Sequence, residues 1–332
     1  MERIAFIYGE TFIYWHSIIL SLAATAAVCM FLAFWLGRGE SWTGGMTAAA
    51  LSAAASLVLS RLCHWYFQSA GYESFAAAMT DYSSGGFALM GVFAGCILSA
   101  CVLRLLRVHR NLPAMLDCMA LAGSLGIAVG RLACLYTDSD RGMVLETVTW
   151  LPFAYPAVDP VTGESAYRLA TFMLQAIWTG AVFLALAVIY LAARKKGRPL
   201  RDGDTALLFL ALHGAAQIMA DSTRYDSLFM RSNGFVGVVQ ILGAVALVGA
   251  IVFFSVYMVR RMKWRWWFAA LWVGIAGLLG LAGYMEYYVQ RHGNEAAFAY
   301  GIMGVSLLCI LCITGVIFRL SVDNKGKSGI SG

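Results

Sequence analysis

The sequence predicts an all-α fold, a polytopic transmembrane helical bundle of about nine helices with its N-terminus outside and its C-terminus in the cytoplasm. Three observations predict it. Of 332 residues, 61% are hydrophobic and only 13% charged, about half the charge of a typical soluble domain. So few polar side chains cannot cover a soluble surface. Apolar runs near 20 residues recur along the chain, and each spans a bilayer core as a helix. Finally, Lys and Arg collect in alternate connecting segments. Together these exclude an ordinary cytosolic enzyme, a nucleic-acid binder and a disordered chain. The net charge of +6 follows from cytoplasmic loops and needs no nucleic-acid partner.

The nine apolar segments run over residues 13–36, 45–67, 86–106, 114–136, 169–193, 204–221, 236–258, 266–286 and 298–318. The first lacks a basic n-region and exceeds the length of a signal-peptide core, so it reads as a span. With the N-terminus outside, the inner segments hold Arg38, then Arg104, Arg107 and Arg110, then Arg194, Lys195, Lys196, Arg198 and Arg201. The next inner segments hold Arg260, Arg261, Lys263 and Arg265, and finally Arg319, Lys325 and Lys327. Acidic residues show the reverse bias. The longest polar stretch, 137–167, lies outside and carries the turn signal Asp159-Pro160-Val161-Thr162-Gly163. Segments one to seven read as one domain, residues 1–260. Two additional helices and a short cytoplasmic tail, 261–332, follow the basic, Trp-rich linker Arg260–Trp267, an interfacial anchor.

All eight cysteines fall within predicted spans, so no disulfide framework is expected. Cys309 and Cys312 have redox-motif spacing, but an apolar helix leaves such thiols inert. Cys63-His64 is two ligands and not a metal site. No metal or cofactor is expected.

Ionisable groups inside spans are expensive and mark function. Three places stand out. On the second segment Arg61, His64 and Trp65 share one helical face. On the fourth, Gly130-Arg131-Leu132-Ala133-Cys134 puts Arg131 about one turn from the outer end, with Cys134 and Asp138 on the same side. On the sixth, His213, Gln217, Asp221 and Arg224 form one polar stripe. Guanidinium groups at this depth suit a phosphate, because each offers a planar fork of donors that stays charged. A phospholipid headgroup is the anion found there. Gly85-Gly86, opening the third segment, adds backbone N–H donors.

These same places resemble the bacterial prolipoprotein diacylglyceryl transferase family over residues 10–260. Gly130-Arg131-Leu132-Ala133-Cys134 is similar to the family's Gly-Arg-Leu-Gly-Asn signature, followed at similar distance by Asp140-Arg141-Gly142, near its conserved glycine. Ser60-Arg61-Leu62-Cys63 resembles Gly-Arg-Leu-Gly, and Gly85–Gly91 resembles Gly-Gly-Met-Ser-Phe-His-Gly. Tyr14-Trp15-His16 resembles His-Trp-Tyr. Gln217 to Arg224 resembles Arg-x-x-x-Glu-x-x-Arg, and Gln240-Ile241-Leu242 closes the set. Five positions depart from the pattern: Met90 replaces a histidine, Cys134 an asparagine, Ser139 an acid, Gln217 an arginine and His16 a tyrosine.

The resemblance implies seven core spans and a multi-pass protein of the bacterial plasma (inner) membrane. It implies transfer of the diacylglyceryl group of phosphatidylglycerol to the cysteine thiol of a lipoprotein signal peptide. Arg61, Arg131 and Arg224 would clamp the phosphate; His16, His64 or Asp221 would take the thiol proton. The alternative is a divergent, non-enzymatic protein that keeps the anionic-lipid pocket as a binder or scaffold.

Overall fold

A computed structural model describes residues 3–9, 11–80, 86–137, 139–158, 163–197, 200–224, 226–230, 233–292 and 295–322. Ten α-helices and three two-stranded antiparallel hairpins form among them. The order is β1 (Ile4–Tyr8), β2 (Thr11–Tyr14), α1 (Trp15–Gly37), α2 (Trp42–Phe67), α3 (Phe75–Thr80), α4 (Leu89–Leu105) and α5 (Leu112–Arg131). Then come β3 (Ala154–Val158), β4 (Ser165–Leu169), α6 (Thr171–Lys195), α7 (Asp204–Thr223), β5 (Phe229–Met230) and β6 (Asn233–Gly237). The last three are α8 (Val238–Met262), α9 (Trp266–Arg291) and α10 (Ala296–Ser321).

Each of the nine apolar segments holds a helix at its place. Among the described residues, seven helices are long and apolar enough to cross a membrane. The helix α4 is apolar but only 17 residues long, and α7, with Asp204 and Asp221 near its ends, lies outside that set. The hairpins and α3 are additions to the expected elements. Their strands, of two to five residues, are too short to print a period-2 pattern. The eight cysteines are free thiols.

The chain divides into two compact units: Met1–Phe209 with Thr223–Val239, and Leu210–Ser222 with Gln240–Gly332. In the first, Phe31, Leu32 and Trp35 of α1 form a core with Ala48 of α2, Leu103 of α4 and Met115 and Cys118 of α5. Side-chain bulk is removed where helices must touch. A Cβ on Gly91 would stand 2.3 Å from Leu59 O, and one on Gly95 2.4 Å from Ser56 N. These two glycines, one turn apart on α4, let its backbone lie against α2, as small-residue pairs do where no hydrophobic effect drives association. Ser56 Oγ then donates to Val92 O at 3.1 Å, and the Ser52 and Ser99 hydroxyls bond at 2.6 Å.

Helix ends in this unit are tied by side chains. Asn111 accepts from Ala114 N at 3.2 Å with Pro113 in the first turn, which starts α5. Buried Asp117 of α5 accepts from Gly203 N and Ala206 N, both at 2.9 Å, and so satisfies orphan donors at the start of α7.

In the second unit, Gly214 of α7 and Gly243 of α8 meet the same way; a Cβ on Gly214 would stand 2.5 Å from Gly243 O. Buried Glu286 of α9 accepts from the Ser222 hydroxyl and from Gln290 Nε2 at 3.0 Å. Tyr300 of α10 donates to Ser222 O at 3.0 Å. Thus α9 and α10 both hold the end of α7.

Candidate active site

At the C-terminal end of α5 the helix tightens. It runs as an α-helix to Arg131 and continues as a 3₁₀ turn over Leu132–Tyr136. The α-helical repeat thus stops at Arg131, before Cys134; Asp138, expected on the same side, lies outside the described residues. Trp15, opening α1, stacks on Tyr136 at 5.9 Å between centroids.

The chain then turns back over the helix end. Asp140 takes a left-handed backbone, φ 56°, which a short polar side chain tolerates. Arg141, fully buried, donates to Cys134 O at 2.9 Å and Thr137 O at 2.6 Å. Its guanidinium lies 4.3 Å from the Tyr155 ring centroid and 4.5 Å from that of Phe172, two rings set nearly at right angles, and these cation–π contacts offset the burial of its charge. Gly142 bridges Arg224 and bonds Leu169 O at 2.8 Å. A Cβ there would stand 2.8 Å from Thr171 Oγ1 and 3.0 Å from Thr223 O, so the loop closes only over glycine.

This return places one carboxylate between two guanidinium groups. Arg131 Nη1 donates to Asp140 Oδ2, and Arg224 Nη1 forms an ion pair with Asp140 Oδ1 at 2.7 Å. Arg224 Nε also donates to Asp226 Oδ1 at 2.9 Å, and Asp226 Oδ2 accepts from the Asp140 amide at 3.0 Å. The Cys134 thiol points at Asp140 Oδ2, 3.4 Å away. Burial alone would raise the Asp140 carboxyl; the Arg131 and Arg224 charges outweigh it and hold it below the usual carboxylate range. Among the described residues, Asp140 is the group that Arg131 meets, which leaves most of its five donors for another acceptor.

The second cluster gathers where the chain enters α4. Arg61, 2% exposed, donates from Nε to Ala78 O and from Nη1 to Gly86 O at 3.0 Å. Its guanidinium lies 5.1 Å from the Tyr72 ring and 5.4 Å from the Phe87 ring. Tyr72 Oη and His64 Nδ1 bond at 3.0 Å. Gly86 has φ +83°, and a Cβ on it would stand 2.3 Å from Tyr72 Oη, 2.5 Å from Arg61 Nη1 and 3.1 Å from His64 Cε1. Arg61, His64 and Tyr72 thus converge on a backbone position that only glycine fills.

Of the residues singled out from the sequence, Arg131, Cys134, Gly142 and Arg224 come together, and Arg61, His64 and Gly86 come together. Gly130 packs loosely against Ala23 and Leu20 of α1. His16 is the half-buried second residue of α1. Gly85 lies outside the described residues. The expected stripe of His213, Gln217, Asp221 and Arg224 needs correction. Helix α7 ends at Thr223, so Arg224 leaves the helical face and pairs with Asp140 and Asp226. His213, Gln217 and Asp221 remain buried in the second unit. The signature loop's acidic position falls in the sequence on Ser139, which is exposed; the carboxylate is supplied one residue later, by Asp140. Asp140 and Arg141 enter the sequence comparison only beside Gly142, and Asp226 and Tyr72 not at all, because each lies in a polar loop that resembles solvated surface.

A model of the family described as prolipoprotein diacylglyceryl transferase matches residues 3–294. The chain belongs to that family. The match extends past α8 through α9. Relatives with the name phosphatidylglycerol–prolipoprotein diacylglyceryl transferase occur in several bacteria. That of Streptococcus equi subsp. zooepidemicus is 24% identical over 259 residues, which is 75% of this chain and 94% of its own. That of Dehalococcoides mccartyi is 24% identical over 271 residues, 79% of this chain and 96% of its own. One from Streptococcus agalactiae is 25% identical over 177 residues, 53% of this chain and 65% of its own. Both family-like signatures, around Arg131 and around Arg61, coincide with the two clusters built above.

Proposed function

We propose that this protein transfers a diacylglyceryl group from phosphatidylglycerol to the cysteine thiol of a lipoprotein signal peptide; the names of its relatives give phosphatidylglycerol, prolipoprotein and diacylglyceryl transfer for them. The observation that carries the reading is the pair of guanidinium groups, Arg131 and Arg224, oriented by one buried carboxylate. In this reading nine helices span the bacterial plasma membrane, N-terminus out and C-terminus in, and the clusters open to the outer leaflet. The alternation of basic segments supports that orientation.

The thiolate sulfur attacks the glyceryl carbon that carries the phosphate ester. The carbon–oxygen bond breaks and its electrons stay on the phosphate, which leaves as glycerol phosphate. A phosphodiester has one negative charge and the departing phosphate gains a second. Cations fixed beside it therefore bind the transition state better than the ground state, which is the requirement for catalysis. Arg131 offers donors already oriented by Asp140, so little reorganisation accompanies binding. Arg61, committed to two carbonyls, shapes the cluster that holds His64.

His64 serves as base in the tautomer whose Nδ1–H donates to Tyr72. Its Nε2 lone pair then takes the thiol proton and returns it to a phosphate oxygen. His16 and Asp221 are the other candidates for that proton.

The test is complementation of a bacterium conditionally depleted of its own transferase, read by lipoprotein mass. A diacylglyceryl mass increment that Arg131→Ala abolishes supports the reading. A folded, membrane-inserted protein that yields no increment overturns it in favour of a lipid-binding role.

A further inference from the structure

A groove of about 320 Å³ opens in the second unit where the end of α8 meets the start of α9, lined by Val252, Ser255, Val256, Val259, Arg260, Trp264 and Trp272. We infer that it binds one anionic phospholipid of the bilayer, an acyl chain along its valines and the headgroup phosphate on Arg260. The volume falls at the lower end of small-ligand pockets.

Val252, Val256 and Val259 lie at helical spacing on one face of α8, with Val252 and Val256 each 44% exposed. Residues 252 to 260 rise ~12 Å along the helix, most of the way from headgroup level to mid-bilayer in one leaflet. The cationic end coincides with the helix ends: Arg260 is in the last turn of α8 and Trp266 opens α9. Indoles and cations there mark headgroup depth.

Two further observations point to an occupant. The Ser255 hydroxyl is buried, 6% exposed at the residue, and has no hydrogen-bond partner among the described residues. A buried hydroxyl without a partner is costly, and a lipid ester oxygen would supply one. The cationic end also carries no acidic group among the described lining residues. Neighbouring Arg261 is already engaged, donating to Leu320 O at 2.9 Å and to Val322 O. Arg260 instead lies over the Tyr257 ring, 5.9 Å from its centroid, which shields one face and leaves its edge donors for phosphate. The site shares no residue with the Arg131 and Arg61 clusters and does not rest on the transfer reaction.

Native mass spectrometry of the full chain, released from detergent and titrated with dioleoylphosphatidylglycerol or dioleoylphosphatidylcholine, tests the inference. Val256→Trp fills the groove, and Arg260→Ala, an exposed change, removes only the cation. Wild type is expected to hold one phosphatidylglycerol more than Val256→Trp, and to keep that difference in an Arg131→Ala background. Arg260→Ala weakens that adduct about tenfold without altering phosphatidylcholine binding. Equal phosphatidylglycerol occupancy in wild type and Arg260→Ala overturns the inference, as does phosphatidylcholine binding as tight as phosphatidylglycerol.

Discussion

Replacing Asp140 with Asn keeps the shape of the side chain and removes its charge, leaving Arg131 and Arg224 to repel across an amide. Asp140 is 7% exposed and each arginine side chain 14%. Breaking a buried ion pair by removing one partner costs roughly 3–5 kcal/mol. The partial exposure of the arginines and the second carboxylate, Asp226, move the expectation to the low end, roughly 3 kcal/mol. Arg131→Gln alone leaves Arg224 on the carboxylate and costs less, about 1.5–3 kcal/mol, the range for a hydrogen bond to a charged group. If the two act as a unit, the double variant is less destabilised than the sum by about 1–2 kcal/mol. The assay is reversible unfolding in mixed detergent micelles, followed by helical circular dichroism for wild type, both singles and the double. Additivity within about 0.5 kcal/mol would refute the pairing and with it the claim that Asp140 orients the phosphate clamp.

The Asp140 carboxyl titrates below its ordinary value of 3.8, so it is the unfolded chain that binds the extra proton in mild acid. Stability from this group is full above that value and falls as pH drops through the folded one; unfolding scans below about pH 4 are expected to show that slope in wild type and to lack it in Asp140→Asn. Gly86→Ala introduces both a left-handed backbone strain of roughly 1–3 kcal/mol and a clash with Tyr72 and Arg61; lipoprotein mass analysis is expected to find no lipid transfer. Tyr72→Phe frees His64 Nδ1 and is expected to lower kcat about tenfold, about 1.4 kcal/mol, with KM for phosphatidylglycerol unchanged. A parallel rise in KM would place Tyr72 in lipid binding instead. Gly91→Ala sets a methyl against the α2 backbone and is expected to cost roughly 1–3 kcal/mol in the same micelle assay.

Why the helices were legible and the carboxylate was not follows from what each leaves in a sequence. A bilayer imposes a length rule on every backbone that crosses it, so runs of about 20 apolar residues mark nine helices before any contact is known. The arginines were legible for the complementary reason: a cation on an apolar helix is costly and must have a use. Asp140 prints no such signal, because an acid in a polar loop looks solvated. It becomes buried only when Gly142 bonds Leu169 O and bridges Arg224, pairings 27 and 82 residues away that no local period contains. Arg224 erred in the opposite sense. Three residues past Asp221, it fits a helical stripe; the helix ends at Thr223, and the hydroxyls of Thr171 and Thr223, 3.1 Å apart, bind that end to the start of α6. A helix terminus fixed by tertiary contacts cannot be read from spacing, and here it separates a buried helical face from a charge that returns to the end of α5. The physical consequence is that the pairing is made by the loop: α5 ends on Arg131, and one carboxylate on a returning chain joins it to Arg224, which lies beyond its own helix.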